Sequence, residues 1–134
     1  MQSGPENPLD RTPFEELGGE DRVRALTDAF YDRMEQDPTA KPIRDMHPED
    51  LTESRQKLFE FLCGWLGGPQ LYVKKHGHPR LRMRHMPFVI GEAERDQWLN
   101  CMAFAMDQLT VQGKLRDFLD ARFAHVADFM RNQG

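Results

Sequence analysis

The chain has 134 residues, enough for one domain with a core of its own. Its 18 basic and 22 acidic side chains give a net charge of −4, which argues against a general nucleic-acid binder. No apolar run reaches the roughly 18 residues of a transmembrane helix.

Met1 to Arg11 is polar, carries Pro5 and Pro8, and lacks the basic start and apolar stretch of a secretory signal. We expect a flexible extension at 1–11, a single domain at 12–134 and a cytoplasmic location. Thr12-Pro13-Phe14-Glu15 reads as a helix start, with a cap, a proline and an acid in register. Gly18-Gly19 stops that helix. Val23, Leu26, Phe30 and Met34 then mark one face of a long helix from about Glu20 to Glu35, with Tyr31 at its edge. Thr39 to Arg44 suits one tight turn, and residues 46–50 a corner.

Leu51 to Leu66 is the second long pattern. Leu51, Ser54, Leu58, Phe61, Leu62 and Trp65 share a face on which Ser54 is the polar exception. Gly67-Gly68-Pro69 ends it, and Gln70 to Gly77 reads as loop with the apolar insert Leu71-Tyr72-Val73. Pro79 to His85 allows only a short helix, with Leu81 and His85 on one side. A long helix follows from Gly91 to about Leu109, its stripe running Trp98, Met102, Ala105 and Leu109. The last runs from about Lys114 to Arg131, with Leu115, Phe118, Leu119, Arg122, Val126 and Phe129 near one side. Nothing alternates with period two, so the class is all-α. Cys63 and Cys101 lie inside helical patterns and read as small buried hydrophobes in a reducing compartment.

Chemistry concentrates in residues 76–88, which hold three of the five histidines and three arginines. His85 suits either a single metal ligand or a cap on free helix carbonyls. His76 and His78, two apart, lack the further ligands of a structural zinc site. Lys74, Lys75, Arg80, Arg82 and Arg84 form a basic cluster, fitted to phosphate, to the carboxylates of a bound cofactor, or to water alone. Tyr31 and Trp98 carry polar hydrogens that want a partner when buried. No nucleophile turn and no phosphate-binding glycine loop is present.

Gly67-Gly68-Pro69, Tyr72, Gly77-His78-Pro79, Leu81-Arg82-Met83-Arg84-His85, Pro87-Phe88, Arg95-Asp96 and Trp98-Leu99, in that order, resemble the group II truncated hemoglobins. Phe30-Tyr31 and His47-Pro48-Glu49-Asp50-Leu51 add to the match, which runs from Phe14 to about Met130. The resemblance implies a two-over-two helical sandwich around heme b. It makes His85 the proximal iron ligand and Arg84 a partner of a heme propionate. Tyr31 and Trp98 become the distal donors. Ser54 takes the place of the distal histidine of other globins, and Leu58 lies one turn on. Met46, Phe61, Leu62, Leu81, Phe88 and Met102 become pocket walls, and Tyr72 and His78 further cofactor contacts.

His47 departs from the aromatic residue commonest at its corner. It is expected either to hydrogen-bond a bound ligand or to coordinate the iron. The implied function is reversible binding of O2, CO, NO or similar small ligands, in oxygen transport or sensing. Two readings compete with it. One is a heme enzyme oxidising nitric oxide or acting on peroxide, fed by a separate reductase because the chain has no flavin or nicotinamide module. The other is a helical interaction module without cofactor. No nucleic-acid or membrane partner is expected, and the chain is taken as monomer or homodimer.

Overall fold

The computed structural model describes residues 11–132. Apart from Arg11, the expected extension lies outside them. The helices are α1 (Pro13–Leu17), α2 (Glu20–Gln36), α3 (Lys41–Arg44, entered through a 3-10 turn at Pro38–Ala40), α4 (Thr52–Trp65), α5 (Leu71–His76), α6 (Leu81–His85), α7 (Glu92–Gln108) and α8 (Gly113–Phe129). Among the described residues there is no strand. Two helix pairs, α2 with α4 and α7 with α8, are stacked mainly through α2 on α7. This is the expected two-over-two arrangement.

α1 starts as its sequence dictates. Glu15 N donates to Thr12 Oγ1 at 3.1 Å, and Thr12 N to the Glu15 carboxylate at 3.2 Å. The helix then docks on the end of α4, where Phe14 N donates to Leu66 O at 2.9 Å. Gly67 and Gly68 make that docking possible. Gly67 has φ +97°, and a Cβ on Gly68 would lie 2.5 Å from the Phe14 ring. The glycine pair therefore seats α1 as well as ending α4.

Along α2, Val23, Leu26, Phe30 and Met34 are each at most 1% exposed. Burying each contributes about 1.5–3 kcal/mol. Thr27 lies among them, its hydroxyl satisfied by Val23 O at 2.9 Å. Asp37 ends the helix and accepts from Thr39 N at 3.0 Å, turning the chain into α3. Arg55 of α4 fastens α2 from outside, reaching Asp28 at 3.1 Å and Asp32 at 2.8 Å.

The faces of α4 divide differently from the simple stripe. Its buried residues are Phe59, Glu60, Leu62 and Cys63, whereas Ser54, Leu58, Phe61 and Trp65 are only half-buried. The half-buried face looks onto a cavity. In α7 the buried set is Cys101, Met102, Ala105 and Met106, and in α8 it is Leu119, Phe123 and Ala127. Burial pushes the thiols of Cys63 and Cys101 up to about 11, so both stay protonated and unreactive.

Residues 71–76 correct an expectation. The expected loop is the helix α5, and a tertiary clamp holds it. Glu60, its side chain 5% exposed, accepts from Lys75 Nζ at 2.8 Å and from Gln56 at 2.8 Å, and meets His76 Nε2 at 3.2 Å. Tyr72 packs edge-on to Phe61. Burial opposes ionisation of Glu60, but the bonds from Lys75 and Gln56 outweigh it and hold the carboxyl below its ordinary 4.5. The clamp's contribution is therefore complete above that pH and is lost as the pH falls through the folded value. Glu60→Gln is expected to cost about 1.5–3 kcal/mol in urea denaturation. The variant should also lose that part of the acid sensitivity. Equal stability of the two proteins at neutral pH would rule out the clamp.

Candidate functional site

A cavity of about 470 Å³ opens between α4 and α8, with α6 and the 46–48 corner closing its sides. Its size suits a cofactor or drug-sized ligand. α4 and α8 touch through Trp65 and Phe123, with ring centroids 5.1 Å apart. A smaller cleft of about 350 Å³ at Thr12, Trp65 and Arg122 holds none of the candidate residues.

The cavity wall brings together Tyr31, His47, Ser54, Leu58, Phe61, Leu62, Tyr72, Leu81, Arg84, His85, Phe88 and Trp98, with Met46 beside them. Two candidates fall outside it. His78 is exposed, and its Nδ1 accepts from Arg80 N at 3.1 Å in the turn before α6. Met102 is fully buried in the core, because α7 spends that position on packing. Some wall residues escaped the sequence reading. Phe123 and Ala127 of α8 and Met130 just past its end line the cavity beside Val126, which the expected α8 stripe already held.

His85 closes α6. Its Nδ1 lies 2.7 Å from Leu81 O. A carbonyl can only accept, so Nδ1 carries the proton and a neutral ring keeps its lone pair on Nε2. That is the tautomer a metal ligand needs, fixed by a backbone partner of the kind that orients ligating histidines.

A second clasp holds the segment that follows. Asn132 Nδ2 donates to Phe88 O at 2.7 Å and to His85 O at 3.3 Å. Its Oδ1 accepts from Ile90 N at 3.0 Å, and its own N–H donates to Ile90 O at 2.9 Å. One residue beyond α8 thus fixes residues 85–90. Nothing in the sequence flagged it, since a lone asparagine has no periodicity.

Tyr31 is 5% exposed, and its ring packs edge-on to Phe30 and His47 at 5.0 and 5.6 Å. Its hydroxyl has no hydrogen-bond partner among the described residues, and neither does the Trp98 indole N–H. Trp98 is held between Phe30 and Phe123 at 5.2 and 5.8 Å. Burial pushes the Tyr31 phenol well up despite the opposing charge of Arg55, so it remains a neutral donor.

The corner bearing His47 is laced by Arg44, which donates to Pro48 O at 2.9 Å and Glu49 O at 2.8 Å. His47 Nδ1 lies 2.8 Å from Ile43 O, so its neutral ring too has the lone pair on Nε2. Burial, reinforced by the charges of Arg44 and His85 and opposed by the Ile43 bond, keeps the ring below its ordinary 6.5.

The wall therefore fits a flat apolar cofactor that would be held by one imidazole and carry acid groups at its edge. It is mostly hydrocarbon and aromatic, and it carries one anchored imidazole. Arg84 spends Nε on Pro79 O at 2.7 Å and has no carboxylate partner among the described residues. Also among the described residues, no three His, Cys, Asp or Glu side chains gather to hold a metal by themselves. A metal held at His85 would need its other ligands from a cofactor.

The bacterial-like globin family model matches residues 12–132. The chain belongs to that family. This globin is 46% identical over 121 residues to the group 2 truncated hemoglobin YjbI of Bacillus subtilis (strain 168), covering 90% of this chain and 89% of that one. It is similar to the solved cold-adapted truncated hemoglobin of the Antarctic marine bacterium Pseudoalteromonas haloplanktis TAC125, with TM-score 0.89 and 51% identity over 92% of this chain and 100% of that one. A group II 2-on-2 hemoglobin from the plant pathogen Agrobacterium tumefaciens gives TM-score 0.88 and 45% identity over 96% and 100%. Within the globins this is accordingly a group II truncated hemoglobin. No helix among its described residues is long and apolar enough to cross a membrane.

Proposed function

We propose that His85 is the proximal ligand to the iron of heme b in this cavity, and that Tyr31 and Trp98 are the donors to a small ligand held there. The chain is a heme protein of the globin family and binds oxygen and similar small ligands reversibly. Heme b supplies the iron on which such ligands bind. The rest of the reading concerns this chain's own residues.

The observation that carries it is the pairing of one anchored imidazole with two unpartnered polar hydrogens on the wall of one apolar cavity. Both donor side chains line the cavity and their polar hydrogens are not taken up by the described residues, so a ligand held there can accept them. Tyr31 and Trp98 supply hydrogens, His85 the lone pair, and Arg84 a charge for a propionate. Ser54 is small and polar where a bulky side chain would obstruct the wall.

His47 takes a narrower role than the sequence suggested. While neutral and bonded to Ile43 O, it offers Nε2 as an acceptor. The two do not bond in the structure, but the His47 ring packs edge-on against Tyr31 and can compete with a bound ligand for its hydrogen. His47→Phe is expected to remove that competitor and slow oxygen release about fivefold, for a neutral hydrogen bond of ~1 kcal/mol. Stopped-flow displacement of oxygen by carbon monoxide measures it, and a faster release would make His47 a donor.

The whole reading is tested by the visible spectrum of the purified protein, ferric, reduced, and under carbon monoxide. A strong heme band that moves at each step is expected. No band after hemin is added would reduce the residues above to core and caps.

A further inference from the structure

Residues 71–91 hold five of the eighteen cations of the chain and none of its twenty-two acids. The segment is thus +5 within a chain of −4. Elsewhere cations are mostly paired: Arg33, Arg44, Arg55, Arg95, Arg116 and Arg131 each meet a carboxylate. In this segment Lys75 pairs with Glu60, but Lys74 and Arg80 have no carboxylate partner among the described residues. Apolar side chains are exposed among them. Met83 and Met86 are each 57% exposed and Val89 63%. Exposed thioethers beside unpaired cations cost solubility and bring no packing, and such a combination marks a contact surface.

We propose that this face docks a small acidic electron-donor protein, one whose negative surface meets Lys74, Arg80 and their neighbours while its apolar centre covers Met83, Met86 and Val89. The inference rests on the heme reading: heme iron binds oxygen only when ferrous, so protein that has turned ferric needs an electron donor. Two features select a redox donor. The first is position. Leu81, Arg84, His85 and Phe88 of this segment are themselves cavity wall, so a partner seated outside α6 lies about one helix thickness, ~10–12 Å, from the cofactor. The second is size. A segment of this length offers a small, mainly electrostatic contact, the kind redox pairs use to meet fast and part fast. Charge also disfavours the other acidic surfaces. The remainder of the chain is strongly negative, and it repels an extended anionic bilayer or a nucleic acid more than a compact partner that touches only this face.

The test uses the heme-loaded, carbon monoxide-bound protein labelled with nitrogen-15, titrated with a bacterial flavodoxin, a small acidic flavoprotein. Amide shifts are expected to fall on residues 73–76 and 80–90 and to fade as ionic strength rises past about 0.15 M. In the double variant Lys74→Glu, Arg80→Glu, affinity is expected to drop about tenfold, with carbon monoxide rebinding unchanged. The rate at which flavodoxin hydroquinone reduces the ferric protein should drop in parallel. Each turnover moves one electron from the flavin, which becomes the semiquinone, to one ferric protein. Lys74→Glu alone, at a side chain bonded to nothing among the described residues, guards against a folding defect of the pair.

Equal affinity of wild type and variant, or shifts confined to the acidic remainder, would overturn the proposal. So would self-association mapping to the same amides, or binding of vesicles rich in phosphatidylglycerol without binding of flavodoxin. A preparation with no heme band fails the function before any partner is added, and that failure is visible separately.

Discussion

His85→Gly is expected to abolish normal heme ligation, and imidazole added to the solution is expected to restore it. Five residues form α6, too few to be stable alone. It is held by the Leu81 bond to the His85 ring and by Asn132 behind it. The ring is presented on a cavity wall with the correct nitrogen free. Losing a partner one shell outside a metal commonly costs ~10–100-fold in affinity, and losing the ligand costs more. Glycine leaves a ring-sized space at the same spot, which free imidazole can fill. Heme transfer to a competing apoglobin measures retention, and the ferrous spectrum reports ligation. Unchanged spectra in His85→Gly would move the ligand elsewhere and undo the assignment.

Tyr31→Phe is expected to raise the oxygen dissociation rate tenfold to a hundredfold. The substitution removes one oxygen atom and keeps the ring that packs on Phe30 and His47. A donor facing partial negative charge in a dry pocket is worth about 1.5–3 kcal/mol, which is roughly one to two decades in affinity. The same change carries a second signature. Among the described residues the hydroxyl has no partner, so its removal should cost the apoprotein little stability. A purely structural tyrosine would behave in the opposite way, losing stability and sparing the rate. If neither changes, the hydrogen bond belongs to Trp98.

The long helices were legible because burial imprints period. Val23, Leu26, Phe30 and Met34 could be read as a face and are one. The α4 stripe was legible too, but its meaning was not. Ser54, Leu58, Phe61 and Trp65 look like core in sequence and border a cavity in space, and only the hydroxyl of Ser54 hinted at it. α5 was illegible because Glu60, far along the chain, clamps it to α4, and no local signal reports that. The resemblance implies cofactor contacts at His78 and Met102, whereas the fold leaves one at the surface and one in the core. The tautomers of His47 and His85 could not be read at all, since they depend on which carbonyl each ring meets.

The clasp at Asn132 orders events in time. The hydrogen bond from its side chain to His85 O spans 47 positions. During synthesis the walls from α2, α4 and α6 all leave the ribosome before it does, at ~5–20 residues per second. Until then the segment carrying His85 hangs from the rest without its tie to α8. The pocket is thus completed from its far end backward, and a nascent chain stalled before residue 132 presents an imidazole that is in reach but not yet held in place.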